Sequence, residues 1–194
     1  MNFLAHIYLS QGINHLMLGN FMADSVKGKK YLDYPQDIAK GMLLHRFIDH
    51  FTDSHDLVKE SNAMLRPHVG RYAPLVTDIM YDHFLALYFT EFTGLVLGEY
   101  VQSVYDYMQN NQLAMTPFAQ EILPYMVKNN WLENYQYQAE LHLIYKQFGR
   151  RIGVGELFDT VTEVIWLQYD VFEQNFRQFF PVLVKAVEEK NLML

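Results

Sequence analysis

The chain has 194 residues, no cysteine, and 22 acidic against 15 basic side chains, for a formal charge of -7. Without cysteine, thiolate catalysis, iron-sulfur centres, thiolate-ligated zinc and disulfides are excluded. The net acidity argues against a nucleic-acid partner, which needs an extended basic face to release counterions.

Hydrophobic residues make up 51% of the chain, including 14 Tyr, 14 Phe and 10 Met, and at this length that predicts one packed domain over 1–194. Apolar positions recur at three and four and strict alternation is scarce, so the expected fold class is all-α. The expected helices run at about 2–10, 13–26, 36–53, 56–68, 72–90, 95–110, 117–132, 134–148 and 154–190. The first, NFLAHIYL, sets His6 among apolar neighbours. It has no basic n-region, and His15, Asn20 and Asp24 follow it, so no signal peptide is read and a reducing, cytoplasmic setting is expected. KGKKYLDY at 27–34 reads as a loop and carries the basic patch Lys27, Lys29 and Lys30; Arg46, Arg66 and Arg71, then Arg150 and Arg151, make two others. Pro35 and Pro74 suit first helical turns, and Thr116 before Pro117 supplies an N-cap oxygen. The apolar run 84–97 is broken by Thr90, Glu91 and Thr93 and is too short to span a bilayer, so no membrane partner is expected. In the last segment Val161, Val164, Ile165, Gln168, Tyr169, Phe172, Phe176 and Phe179 form a packing stripe, and Pro181 is expected to end or kink the helix.

The segment GMLLHRFIDHFTDSHD carries the sharpest signal. His45, Asp49 and Asp53 follow at i, i+4, i+8 and drift only about 80° around a helix, so they share a face. Leu44, Phe47, Ile48 and Phe51 occupy the other side. In RYAPLVTDIMYDHFLALYF, Asp78 and Asp82 are again four apart, beside His83 and among heavily apolar neighbours. Buried carboxylates are costly unless they are paired, hydrogen-bonded or metal-bound. His6, and Asp24 in LGNFMADSVKG, complete a set of imidazoles and carboxylates that suits manganese, iron, magnesium or zinc. The structural alternatives are a solvated face or a capping and ion-pair arrangement with Arg46 for His45 and Asp49, a satisfied core histidine for His6, and a buried carboxylate bonded to a neighbouring helix for Asp78. His15, His50, His55, His68 and His142 read as surface, cap or packing residues.

MNFLAH at the start, LGNFMADSVKG at 18–28, GMLLHRFIDHFTDSH at 41–55 and RYAPLVTDIMYDHFLA at 71–86 resemble the acyl carrier protein phosphodiesterase family, itself similar to a divergent branch of the metal-dependent histidine-aspartate (HD) phosphohydrolases. The resemblance continues more weakly through Trp131, Tyr135, 149–151 and FRQFFPVLV at 176–184. It implies an all-helical fold and a place in fatty acid biosynthesis. The implied reaction is hydrolysis of the phosphodiester between 4'-phosphopantetheine and the serine of holo acyl carrier protein, with a divalent metal, manganese first. The adjacent His-Asp pair of HD proteins is absent; His45 with Asp49, and the reversed Asp82-His83, stand in its place.

On this reading Asp24, His45, Asp49 and Asp82 are the expected metal ligands, with His6 and Asp78 as alternates. Asp53 or His83 takes the water proton, His6 or His83 protonates the leaving serine, and Lys27 or Arg46 meets charge on the phosphoryl oxygens. The competing readings are an HD-type enzyme acting on a nucleotide or small phosphoester, and a non-catalytic helical module.

Overall fold

Side-chain caps open two of the helices among the described residues. The computed structural model describes all residues except 152, 156–157, 159–160 and 194, and among the described residues no strand occurs. α1 (Phe3–Tyr8) and α2 (His15–Met22) lead through two short 3-10 turns to the long α3 (Gln36–Ser54). α4 (Asp56–Val69), α5 (Ala73–Leu87), α6 (Phe89–Thr93) and α7 (Leu97–Asn110) follow. After them come α8 (Pro117–Lys128), α9 (Trp131–Asn134), α10 (Gln138–Arg151), α11 (Val161–Leu167) and α12 (Tyr169–Asn191). Asn14 Oδ1 accepts the N–H groups of Leu16 and Met17 to start α2, and Thr116 Oγ1 accepts that of Ala119 to start α8. These are the donors that a helix start leaves unpaired.

Several expected helices are shorter or divided. The stretch read as 72–90 is two helices parting at Tyr88, and the one read as 117–132 breaks at Asn130, whose φ is +45°. The expected helix over 154–190 parts at Gln168 into α11 and α12, while 156–157 and 159–160 lie outside the described residues. So does the side chain of Arg151, which the Arg150–Arg151 patch requires. Pro181 does not end α12, which runs on to Asn191. Pro181 is exposed, so the backbone bond it cannot make is lost away from Phe179, Phe180, Leu183 and Val187, which stay buried. No helix among the described residues is long and apolar enough to cross a membrane.

The aromatic stripe of α12 is core. Phe176 meets Tyr81 and Phe84 of α5 at centroid separations of 5.5 and 5.7 Å, and Phe180 meets Phe92 at 5.4 Å. Such pairs add about 0.5–1.5 kcal/mol each beyond area burial. On the other side of the molecule α2 and α3 meet backbone to backbone. A Cβ on Gly19 would lie 2.0 Å from the carbonyl oxygen of Ile38, and one on Gly41 would lie 2.0 Å from that of Leu16. Only glycine permits this approach, and it sets Asn20 of α2 against His45 of α3.

Gly41→Ala forces these two backbones apart and is expected to lower stability by about 2 kcal/mol or more, read as a fall in the urea midpoint. An unchanged midpoint contradicts the packing described.

Candidate metal centre

Two helices bring the imidazoles together. His6 is presented by α1, whose start is held by α5: Asp82 accepts the backbone N–H groups of Asn2 (3.1 Å), Leu4 (2.7 Å) and Ala5 (3.4 Å). Asp78, one turn earlier, accepts from the α-ammonium of Met1 at 2.7 Å. The two carboxylates of α5, Asp82 buried and Asp78 half-buried, thus fix the position and rotation of α1. Burial pushes the Asp82 carboxyl up to about 7, against the pull of that ammonium and of the three backbone donors.

His45 comes from α3, and its ring stacks on that of His6 with centroids 3.9 Å apart. Asn20, fully buried, joins them: Oδ1 accepts from His6 Nδ1 at 2.9 Å, and its backbone oxygen accepts from His45 Nδ1 at 2.8 Å. Its own amide nitrogen donates to the carbonyl of His6 (2.8 Å) and to Ser10 Oγ (2.9 Å), which sets the orientation of the amide. A carbonyl only accepts, so His45 carries its hydrogen on Nδ1, and the orientation of the Asn20 amide assigns the same to His6. Both Nε2 atoms are left facing Asp49: His6 Nε2 is 3.1 Å from Oδ1 and His45 Nε2 is 3.1 Å from Oδ2. Asp24 stands at the exposed edge, with Oδ1 3.3 Å from His45 Nε2.

A neutral Nε2 and a carboxylate oxygen are both acceptors, so this contact demands a positive charge between them, either a proton or a cation. Burial would depress the His45 imidazolium, but the bonds to Asp24 and Asp49 outweigh it and raise its pKa to about 9. His6 shifts the other way, lowered first by burial and then by the charge on His45. Burial would raise the Asp49 carboxyl, yet the two imidazoles hold it well below the usual carboxylate range. The donor set also fits a metal ion. One ligand atom each from His6, His45 and Asp49 lie within 4.8 Å of one another. Donor atoms about 2.1 Å from a common ion and at right angles lie about 3 Å apart, which agrees with the 3.1 Å separations here.

Of the residues singled out in the sequence, the structure gathers His6, His45 and Asp49, with Asp24 at the rim. Asp82 and Asp78 are engaged by α1 and do not join them. His83 is fully buried with both nitrogens occupied, Nδ1 donating to the carbonyl of Tyr135 and Nε2 accepting from the Tyr169 hydroxyl, each at 2.7 Å. Arg46 is committed as well: it donates to the carbonyls of Val26 (3.1 Å) and Gly28 (2.7 Å) and clamps the lysine loop. Lys27 is exposed on that loop, and Asp53 is exposed one turn beyond Asp49 on α3. Asn20 is the site residue that sequence reasoning missed; its only signal is an amide set among Leu18, Phe21 and Met22.

A helical domain whose helices bring two imidazoles and a carboxylate to one point has the make-up of a protein able to hold a divalent metal ion. The chain belongs to the acyl carrier protein phosphodiesterase family, whose sequence model, described as "Acyl carrier protein phosphodiesterase", matches residues 1–183. A protein of that name from Klebsiella pneumoniae (strain 342) is 32% identical over 99% of this chain and 100% of its own length. Another from Yersinia pestis is 30% identical over 99% and 100%. A third, from Photorhabdus laumondii, is 29% identical over 98% and 97%. No solved structure matches the chain.

Asn20→Ala removes the side-chain oxygen that orients His6 while keeping the backbone carbonyl that holds His45, and is expected to lower the affinity for Mn2+ about tenfold or more, the usual effect of losing the group that orients a metal-ligating histidine. Calorimetric titration, with circular dichroism to verify the fold, reads this; wild-type affinity in the variant contradicts it.

Proposed function

We propose that the protein hydrolyses the phosphodiester joining 4'-phosphopantetheine to the serine of holo acyl carrier protein, giving apo carrier protein and 4'-phosphopantetheine. The reading combines family membership with one observation, the convergence of His6, His45 and Asp49 within 4.8 Å. In this reading the two Nε2 atoms and Asp49 hold a divalent cation, with Asp24 completing the set from the exposed side. Nitrogen donors combined with hard carboxylate oxygens suit manganese first, and magnesium, iron(II) or zinc after it. Such an ion supplies Lewis acidity, drawing charge from a phosphoryl oxygen and lowering the pKa of a water that it binds.

The remaining work falls to the chain's own groups. Water adds to phosphorus, the bond from phosphorus to the serine oxygen breaks, and the phosphate leaves with the pantetheine. Asp53, exposed and one turn past Asp49, accepts the proton that the water loses and returns it to the serine oxygen. Charge on the phosphoryl oxygens is met by Lys27, since the Arg46 guanidinium is spent on the loop that carries that lysine. The kinship with HD-type phosphohydrolases belongs to the same reading, supported by the helical scaffold and the imidazole-carboxylate donors. We assign the reaction to the cytoplasm, in keeping with the lack of cysteine.

Acyl carrier proteins are acidic, so a chain of charge -7 must dock one through a local basic surface. The loop held by Arg46 offers Lys27, Lys29 and Lys30, all exposed. It follows Asp24 directly in the chain, at the rim of the cluster.

Incubation of holo carrier protein with the purified protein and Mn2+ is expected to remove the phosphopantetheine mass, and Asp49→Ala to lower kcat about 100-fold or more with the fold retained. Holo carrier protein left intact, or near-normal turnover by the variant, overturns the reading. Reversing charge at Lys29 and Lys30 together is expected to raise KM at low salt and flatten its salt dependence; an unchanged KM removes the docking loop alone.

A further inference from the structure

Two neighbouring patches of the surface carry opposite charge. The first is a groove of about 750 Å³ between α8 and α10, floored by Trp131 of α9. Phe118, Glu121, Ile122 and Tyr125 recur at i, i+3, i+4 and i+7 of α8, and Glu140, Leu143 and Ile144 at i, i+3 and i+4 of α10, so each helix turns one face to the groove. Tyr125 is 60% exposed, Leu143 45% and Phe118 39%, a concentration of apolar surface that marks an interaction site. The lining holds the carboxylates of Glu121 and Glu140 and no lysine or arginine. Neither carboxylate enters an ion pair among the described residues.

The second patch is the lysine loop. KGKKYLDY at 27–34 sets three exposed lysines against one aspartate, Asp33, and none of the three is ion-paired among the described residues. Leu32 stands beside them, 65% exposed. Arg46 braces the loop against α3 through the carbonyls of Val26 and Gly28. The two patches share a border: a smaller cavity of about 480 Å³ is lined by Lys30, Asp33 and Tyr34 of the loop and by the same Phe118 that lines the groove.

An acidic, apolar groove beside a basic loop with an exposed leucine is complementary to itself. A two-fold axis near Phe118 lays the loop of each copy against the groove of the other, so that every contact occurs twice and the assembly closes at two chains. Each chain carries a charge of -7, but that repulsion is screened beyond about 8 Å at physiological salt, whereas a lysine and a glutamate in contact lie inside that distance. An acidic partner matches the loop alone and a basic one the groove alone, while a copy of this chain matches both.

We propose that the protein forms a two-fold dimer in which Leu32 of each copy enters the groove of the other, with Lys29 and Lys30 pairing with Glu121 and Glu140 across the interface. The dimer does not depend on the function proposed above. It does cover the lysine loop, so a second copy and an acidic carrier protein compete for that surface.

Sedimentation equilibrium of the wild-type chain at rising concentration is expected to move the mass from 22.9 kDa towards twice that value. Leu32→Asp changes an exposed position, where the fold is not at stake, and is expected to leave only the monomer. Glu121→Lys with Glu140→Lys in one variant, and Lys29→Glu with Lys30→Glu in another, are each expected to be monomeric alone, with circular dichroism verifying the fold. Mixed in equal amounts they are expected to recover the dimer mass, because both loop-groove contacts of the mixed pair are again complementary. A wild-type mass that stays at 22.9 kDa, or one that climbs past two chains, overturns the inference. So does an undiminished dimer in Leu32→Asp or in either charge variant, or a mixture that stays monomeric.

Discussion

Asn20 makes hydrogen bonds through its amide and its backbone carbonyl, and two imidazoles on different helices take their orientation from them. With each Nδ1 hydrogen directed at Asn20, both Nε2 lone pairs converge on Asp49, and the close approach of acceptor to acceptor holds only with positive charge in between. A proton serves when no metal is bound, which is why the His45 imidazolium persists to about pH 9 despite its burial. A divalent cation would also meet that need for positive charge, held by the two Nε2 atoms and Asp49. The cluster is therefore ordered around a positive charge before any ligand arrives, and less conformational entropy remains to be lost on binding.

The rest of the scaffold bears on that geometry. Glycines at 19 and 41 let α2 and α3 touch along their backbones, so that the Asn20 carbonyl reaches His45. Asp82 and Asp78 pin the start of α1 from α5, so that His6 approaches Asn20 from the other side. The aromatic wall of Tyr81, Phe84, Phe176 and Phe180 holds α5 in turn. Polar groups in the core thus divide by partner. Asp82, Asp78 and His83 are satisfied by fixed groups of the chain, whereas His6, His45 and Asp49 face one another at a point that opens to solvent through Asp49 and Asp24.

Much of this was legible in the sequence. The all-helical class followed from periodicity, and the spacing of His45 and Asp49 is a property of one helix, so it survived into three dimensions. His6 stood out as the polar residue of an apolar segment. The role of Asp82 was not legible, because its partners are backbone groups 77 to 80 residues away and any buried acid advertises the same need. His83 adjoins Asp82 in the chain but lies about 100° around the helix, and so faces Tyr135 and Tyr169 instead. Asn20 escaped notice because an amide in a short helix resembles ordinary polarity until the residue across from it is known. The breaks at Tyr88 and Asn130 carry no glycine or proline to mark them, and at Asn130 the chain takes a left-handed φ of +45° that asparagine tolerates.

Nitrogen NMR of the two imidazoles, followed through a titration with diamagnetic Zn2+, tests the central claim most directly. The account predicts that in both His6 and His45 the Nδ1 signal keeps its protonated shift throughout, while both Nε2 signals move together to metal-bound positions. Zinc appearing at either Nδ1, or only one of the two rings responding, would contradict it.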